Sequence, residues 1–135
     1  MKIQLTADAL RSDLARRVQE MSGEDPLACY QCGKCSAGCP SAAFMDQLPN
    51  QIIRLLQLGS VAEALRSDTI WYCAACQTCY ARCPKGVDLP RLMEALRELA
   101  LQELGDQVDV AKIDAGELAR LPQQAFVAGF RKYTG

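Results

Sequence analysis

At 135 residues the chain is long enough for one domain with a modest apolar core. Its 15 basic and 16 acidic residues leave a net charge of -1, which argues against a nucleic-acid footprint or a polybasic membrane anchor. It contains no histidine, so no imidazole serves as a general base or metal ligand.

The N-terminal stretch, with Lys2, Asp8, Arg11, Asp13, Arg16 and Arg17 scattered through it, has no apolar run resembling a secretory signal, and the expected location is cytoplasmic. Leu10, Leu14, Val18 and Met21 recur at helical spacing and predict a first helix, with Thr6 as N-cap and Asp8 in the first turn, ending before Pro26. Pro49 and Gly59 bound a second, largely buried helix over 49–58. Ser60 and Glu63 match a capping box ahead of a short helix over 60–67, and Asp68 and Thr69 are expected to cap the approach to Trp71.

Asp88 then precedes Leu89, Leu92, Met93, Leu96, Leu99 and Ala100, an apolar stripe that predicts a helix ending at Gly105 and packed as core. After a weakly patterned stretch, Phe126, Val127, Phe130 and Tyr133 resume helical spacing, as a last helix or a docking segment. No segment alternates with period two, so the fold is expected to be all-α. The most apolar run, Ile52 to Leu58, is interrupted by Arg54 and Gln57 and is too short for a membrane span. The resulting division is an N-terminal helix over 1–26, a central domain over 27–104 and a tail over 105–135.

All 8 cysteines lie in two copies of one spacing: Cys29, Cys32, Cys35 and Cys39 before Pro40, and Cys73, Cys76, Cys79 and Cys83 before Pro84. This repeated C-x-x-C-x-x-C-x-x-x-C-P run is the ligand pattern of a protein holding two 4Fe-4S clusters. A straight helix spreads residues spaced by three along its axis and around its face, so Cys29, Cys32 and Cys35 must wrap a cluster from a turn. Gly33 and Gly38 are expected to relieve backbone crowding there.

In two-cluster proteins with this run the fourth cysteine ligates the other cluster. Cys29, Cys32, Cys35 and Cys83 are therefore expected to hold one cluster, and Cys73, Cys76, Cys79 and Cys39 the other. Pro40 and Pro84 turn the chain away after the fourth cysteine. Lys34, Arg82 and Lys85 either raise a cluster's potential or are simply solvated.

Zinc fits poorly, because its sites usually pair two short knuckles or combine cysteine with histidine. With every cysteine engaged, no thiol remains as a nucleophile, and no G-x-G-x-x-G or Walker-type motif supports a nucleotide site. No catalytic residue is expected. Glu24 and Asp25 read as solvated turn residues, and Tyr30, Trp71 and Tyr72 either exclude water from the clusters or pack in the core.

The two cysteine runs, together with Leu48-Pro-Asn-Gln-Ile-Ile-Arg-Leu-Leu-Gln-Leu-Gly59 between them, resemble the C-type, dicluster iron-sulfur subunit of heterodisulfide reductase over residues 27 to 101. The resemblance implies an α-helical ferredoxin fold with two 4Fe-4S clusters in a hetero-oligomer. There the clusters connect two partners, one containing flavin and further iron-sulfur clusters, the other catalytic. It makes this chain the wire of an oxidoreductase complex. Two alternatives are the iron-sulfur subunit of a quinone-linked dehydrogenase, whose C-terminal half resembles this fold, and a free dicluster ferredoxin.

Overall fold

The computed structural model describes residues 12–104 and 113–124, with side chains described to residue 102 in the first stretch. The chain divides into two compact units, Met1–Ala100 and Leu101–Gly135. Helices account for the regular structure and, among the described residues, there is no strand. This is the all-α architecture of an α-helical ferredoxin. Among the described residues no helix is long and apolar enough to cross a membrane.

The first described helix, α1, spans Asp13–Ser22. Ser12 caps it by accepting a 3.3 Å hydrogen bond from the Ala15 N–H, and Gly23, at φ 68°, ends it in the left-handed conformation that glycine tolerates. The expected start at Thr6, with Asp8 and Leu10, lies outside the described residues. A short 3-10 turn at Pro26–Ala28 leads into the first cysteine run, with Asp25 Oδ1 accepting from the Leu27 N–H at 2.9 Å.

Between the runs lie one-turn helix α2 (Lys34–Ala37), then α3 (Pro49–Gln57), α4 (Val61–Arg66) and α5 (Thr69–Tyr72). Pro49 opens α3 where its missing N–H has no partner to lose, and Gly59 at φ 71° ends it. Gln51 Oε1 accepts from the Leu48 N–H at 2.6 Å, half of a capping box. The box expected at Ser60 does not form, because Ser60 makes no side-chain cap and Glu63 N–H reaches only the Ser60 carbonyl.

The cap on α5 is likewise not the expected one. Asp68 makes no side-chain cap; Asp46 Oδ1 instead accepts from Thr69 N–H at 3.0 Å and from Ser67 Oγ at 2.8 Å. Asp46 comes from the preceding loop, a distance in sequence that no local capping pattern spans.

After one-turn helix α6 (Thr78–Ala81), the long helix α7 (Leu89–Leu104) buries Leu89, Leu92, Met93, Ala95, Leu96 and Leu99. All of these but Ala95 pack with Val18 of α1, Ile52, Ile53, Leu55 and Leu56 of α3, Val61 and Ala64 of α4 and Ile70 of α5. Each large side chain so buried contributes about 1.5–3 kcal/mol, so the expected stripe is indeed core. Asp88 Oδ1 accepts from Arg91 N–H at 3.2 Å, and Glu24 Oε2 accepts from Asp88 N–H at 3.0 Å. Glu24 is therefore a clamp between distant segments rather than a solvated turn residue. In the second unit, Asp114 caps one-turn helix α8 (Ala115–Leu118), and Phe126, Val127, Phe130 and Tyr133 lie outside the described residues.

Candidate metal centres

The two cysteine runs share one backbone path at an offset of 44 residues. Gln31 and Gly33 of the first run have φ of 63° and 77°, and their counterparts Ala75 and Gln77 have 49° and 63°. Left-handed residues between cysteines fold the chain back on itself, so neither helix nor strand can start until α2 or α6 follows. Only one of the four is glycine; the others hold this conformation at about 1–2 kcal/mol each. Gly38 serves differently, at an ordinary φ of -108°: a Cβ there would run into the Arg82 side chain.

The carbonyls at the mouth of each run are held alike. Gln57 Nε2 donates to Pro26 O at 2.9 Å and Cys29 O at 2.6 Å. At the matching pair, Arg97 Nη1 donates to Ile70 O at 2.8 Å and Cys73 O at 3.2 Å. Sequence patterns single out neither residue as part of the sites, although Gln57 is visible as a polar interruption of the α3 stripe.

Cys39 lines one cavity with Cys73, Cys76 and Cys79, whose walls include Met45, Leu89 and Met93. The Tyr30 pKa is raised, foremost by its interaction with Cys32, with desolvation and the charges of Cys32, Cys83 and Cys29 adding to it. Cys29, Cys35, Cys73, Cys79 and Cys83 also pack against the apolar core, so the sites rest on a dry floor. Among the described residues no three cysteine, aspartate or glutamate side chains are gathered as ligands of a single ion. Four thiols around an apolar-walled cavity suit a cluster, which spreads its thiolate ligands over several irons.

The free thiols differ within each run in the same way. Burial raises the pKa of Cys35 and pushes that of Cys79 up to about 11. The exposed Cys32 and Cys76 are lowered, Cys32 foremost by the Lys34 backbone N–H and Cys76 foremost by its hydrogen bond with Thr78. Other contacts to sulfur come from the Gln31 N–H to Cys29 Sγ at 3.4 Å and from the Val87 N–H to Cys83 Sγ at 3.3 Å. Such donors stabilise thiolates, the form that binds iron.

Core packing is excluded for the aromatic residues beside the runs: Tyr30 is 57%, Trp71 48% and Tyr72 50% exposed. Tyr72 is joined on the surface by Phe44, their ring centroids 6.5 Å apart. Lys34, Arg82 and Lys85 are exposed as well.

The 4Fe-4S dicluster domain family matches residues 26–87, which include all eight cysteines. An iron-sulfur subunit of CoB–CoM heterodisulfide reductase from Methanopyrus kandleri is 46% identical over 76 residues, 56% of this chain and 40% of the relative. Over this region the chain is similar to the C-type iron-sulfur subunit of heterodisulfide reductase. Its counterpart in Methanocaldococcus jannaschii is 42% identical over 85 residues, covering 60% of this chain and 45% of its own length. The corresponding subunit of the ferredoxin:CoB–CoM heterodisulfide reductase from Methanosarcina mazei is 34% identical over 87 residues, 64% of this chain and 53% of that protein. The chain thus spans about half the length, or less, of these relatives. The matched domain and the eight cysteines fit two 4Fe-4S clusters, which supports a role in electron transfer.

Proposed function

We propose that the chain relays single electrons between two partners in a heterodisulfide-reductase-type complex, one a flavin-containing subunit, the other the catalytic one. In this reading Cys29, Cys32, Cys35 and Cys83 hold one cluster, and Cys73, Cys76, Cys79 and Cys39 the other. The observation that carries the assignment is the cavity that Cys39 shares with the three leading cysteines of the second run. Each cluster supplies a one-electron redox step when bound.

The protein's own contribution is placement and environment. Left-handed residues wrap each loop, Gln57 and Arg97 pin its mouth, and the core beneath excludes water. In this reading every thiol is a cluster ligand and, with no histidine in the sequence, bond chemistry is left to the partners. The names of the relatives, each one subunit of a heterodisulfide reductase, support assembly with other subunits; the flavin-containing and catalytic partners are part of the proposal.

Anaerobic purification of the full chain from its own cells tests both parts. The expected result is about eight irons per chain, with co-elution of a flavoprotein and of a further, catalytic protein. Iron-loaded protein that elutes alone would overturn the partner assignment and favour a free ferredoxin, whereas stoichiometric zinc without iron would overturn the cofactors.

A further inference from the structure

The two halves hold matching carbonyls with chemically different side chains. In the first, the pair Pro26 O and Cys29 O is held by a neutral amide, Gln57. In the second, the pair Ile70 O and Cys73 O is held by a guanidinium, Arg97. Both pairs lie at the same positions of the repeat, and Cys29 and Cys73 are the first ligands of their runs.

Arg97 is only partly exposed, its Nη1 is fixed on two carbonyls, and among the described residues no carboxylate forms an ion pair with it. A full positive charge is thus fixed one residue's width from a thiolate ligand, in a setting where solvent screens it less than it screens a surface lysine. Adding an electron to a cluster adds negative charge, so a fixed cation beside it favours the reduced form.

We infer that Arg97 sets the potential of the cluster ligated by Cys73 above that of the cluster ligated by Cys29, so that a singly reduced chain keeps its electron in the second half.

Several features favour the opposite order, and each is weaker. Gln31 Nε2 approaches Cys29 Sγ at 3.8 Å, a long contact from a neutral donor, while its counterpart Ala75 has no donor. Lys34, Arg82 and Lys85 flank Cys35 and Cys83, and Arg54 Nη1 donates to Gln57 Oε1 at 3.2 Å, but all four are exposed and therefore screened, whereas Arg97 is partly buried and bonds the carbonyls directly. Arg97 acts through the cluster's surroundings without ligating it, which makes it a positioning residue with an electrostatic effect.

The test is an anaerobic, EPR-monitored redox titration of the cluster-loaded full chain, with Cys32→Ser and Cys76→Ser marking the signals of the first and second runs. In the wild type the second-run signal should appear at the higher potential. Arg97→Gln, which copies the first half, should lower that wave and leave the other in place, and Arg97→Lys should restore most of the difference. A second-run wave at the lower potential in the wild type overturns the inference without any change at Arg97. So does an Arg97→Gln protein with both waves unmoved, or an Arg97→Lys protein shifted as far as Arg97→Gln. The inference rests on the two-cluster cofactor content alone; a chain that yields neither signal would overturn that content itself, and the presence or absence of the flavin-containing and catalytic partners does not enter.

Discussion

Gly38 and Arg82 occupy the same position in the two repeats, and the Arg82 side chain fills the space that a Cβ on Gly38 would need. Counterparts meet here, next to Cys39 and Cys83, so the two halves touch at the residues that precede their fourth cysteines. Replacing Gly38 by Ala forces the exposed, flexible Arg82 side chain aside, which should offset the gain of up to about 1 kcal/mol that alanine brings by restricting the unfolded chain. In an Arg82→Ala background the same substitution should be stabilising by up to about 1 kcal/mol, because φ of -108° suits alanine and the unfolded chain loses freedom. Thermal midpoints of the four proteins of this cycle measure the coupling; additive effects would contradict the contact.

Cys39→Ala should remove or alter the cluster of the second run while leaving a cluster on Cys29, Cys32 and Cys35, because Cys39 shares its cavity with Cys73, Cys76 and Cys79. EPR of the reduced variant reads this directly. Loss confined to the first-run signal would contradict the crossover.

Asp46 is the acceptor on which the buried Ser67 and Thr69 depend. Asp46→Ala leaves those donors without it and should cost about 1–3 kcal/mol, whereas Asp46→Asn keeps an acceptor and should cost less. Desolvation raises the Asp46 pKa, but hydrogen bonds from Ser67, Thr69 and Gln47 outweigh it and the net shift is downward. A depressed carboxylate stabilises the fold above its unfolded pKa of about 3.9 and loses that contribution as pH falls through the folded value. The gap in thermal midpoint between wild type and Asp46→Asn should therefore be constant above about pH 5 and shrink below about pH 4.

Asp88→Ala should destabilise the protein by about 1 kcal/mol, as expected for loss of the side-chain acceptor at the start of α7. Asp88→Asn should recover most of it. Because Glu24 accepts from the Asp88 backbone N–H, Glu24→Ala should add to the loss even with Asp88 intact. Denaturant midpoints distinguish the two contributions.

What was legible in the sequence was what repeats locally. The Leu89 to Leu99 stripe, the proline and glycine bounding α3, and the doubled cysteine spacing each rest on residues a few positions apart, and each is seen in the fold. What was misread or missed involves partners brought together only by tertiary structure. Asp46 replaces Asp68 as the acceptor for Thr69, Glu24 reaches Asp88, and Gln57 and Arg97 cross to carbonyls of other segments. Of the two readings open for Tyr30, Trp71 and Tyr72, the fold removes core packing: they stand on the surface, and the small core is filled by aliphatic side chains.

The cavity that Cys39 shares with the second run also bears on how the protein is made. Residues near position 39 leave the ribosome well before Cys73, Cys76 and Cys79 exist, so that cavity has no complete form on the growing chain. On the proposed ligation, neither cluster has its full set of four cysteines until both runs have been synthesised, so cluster insertion is coupled to completion of the 27–87 segment.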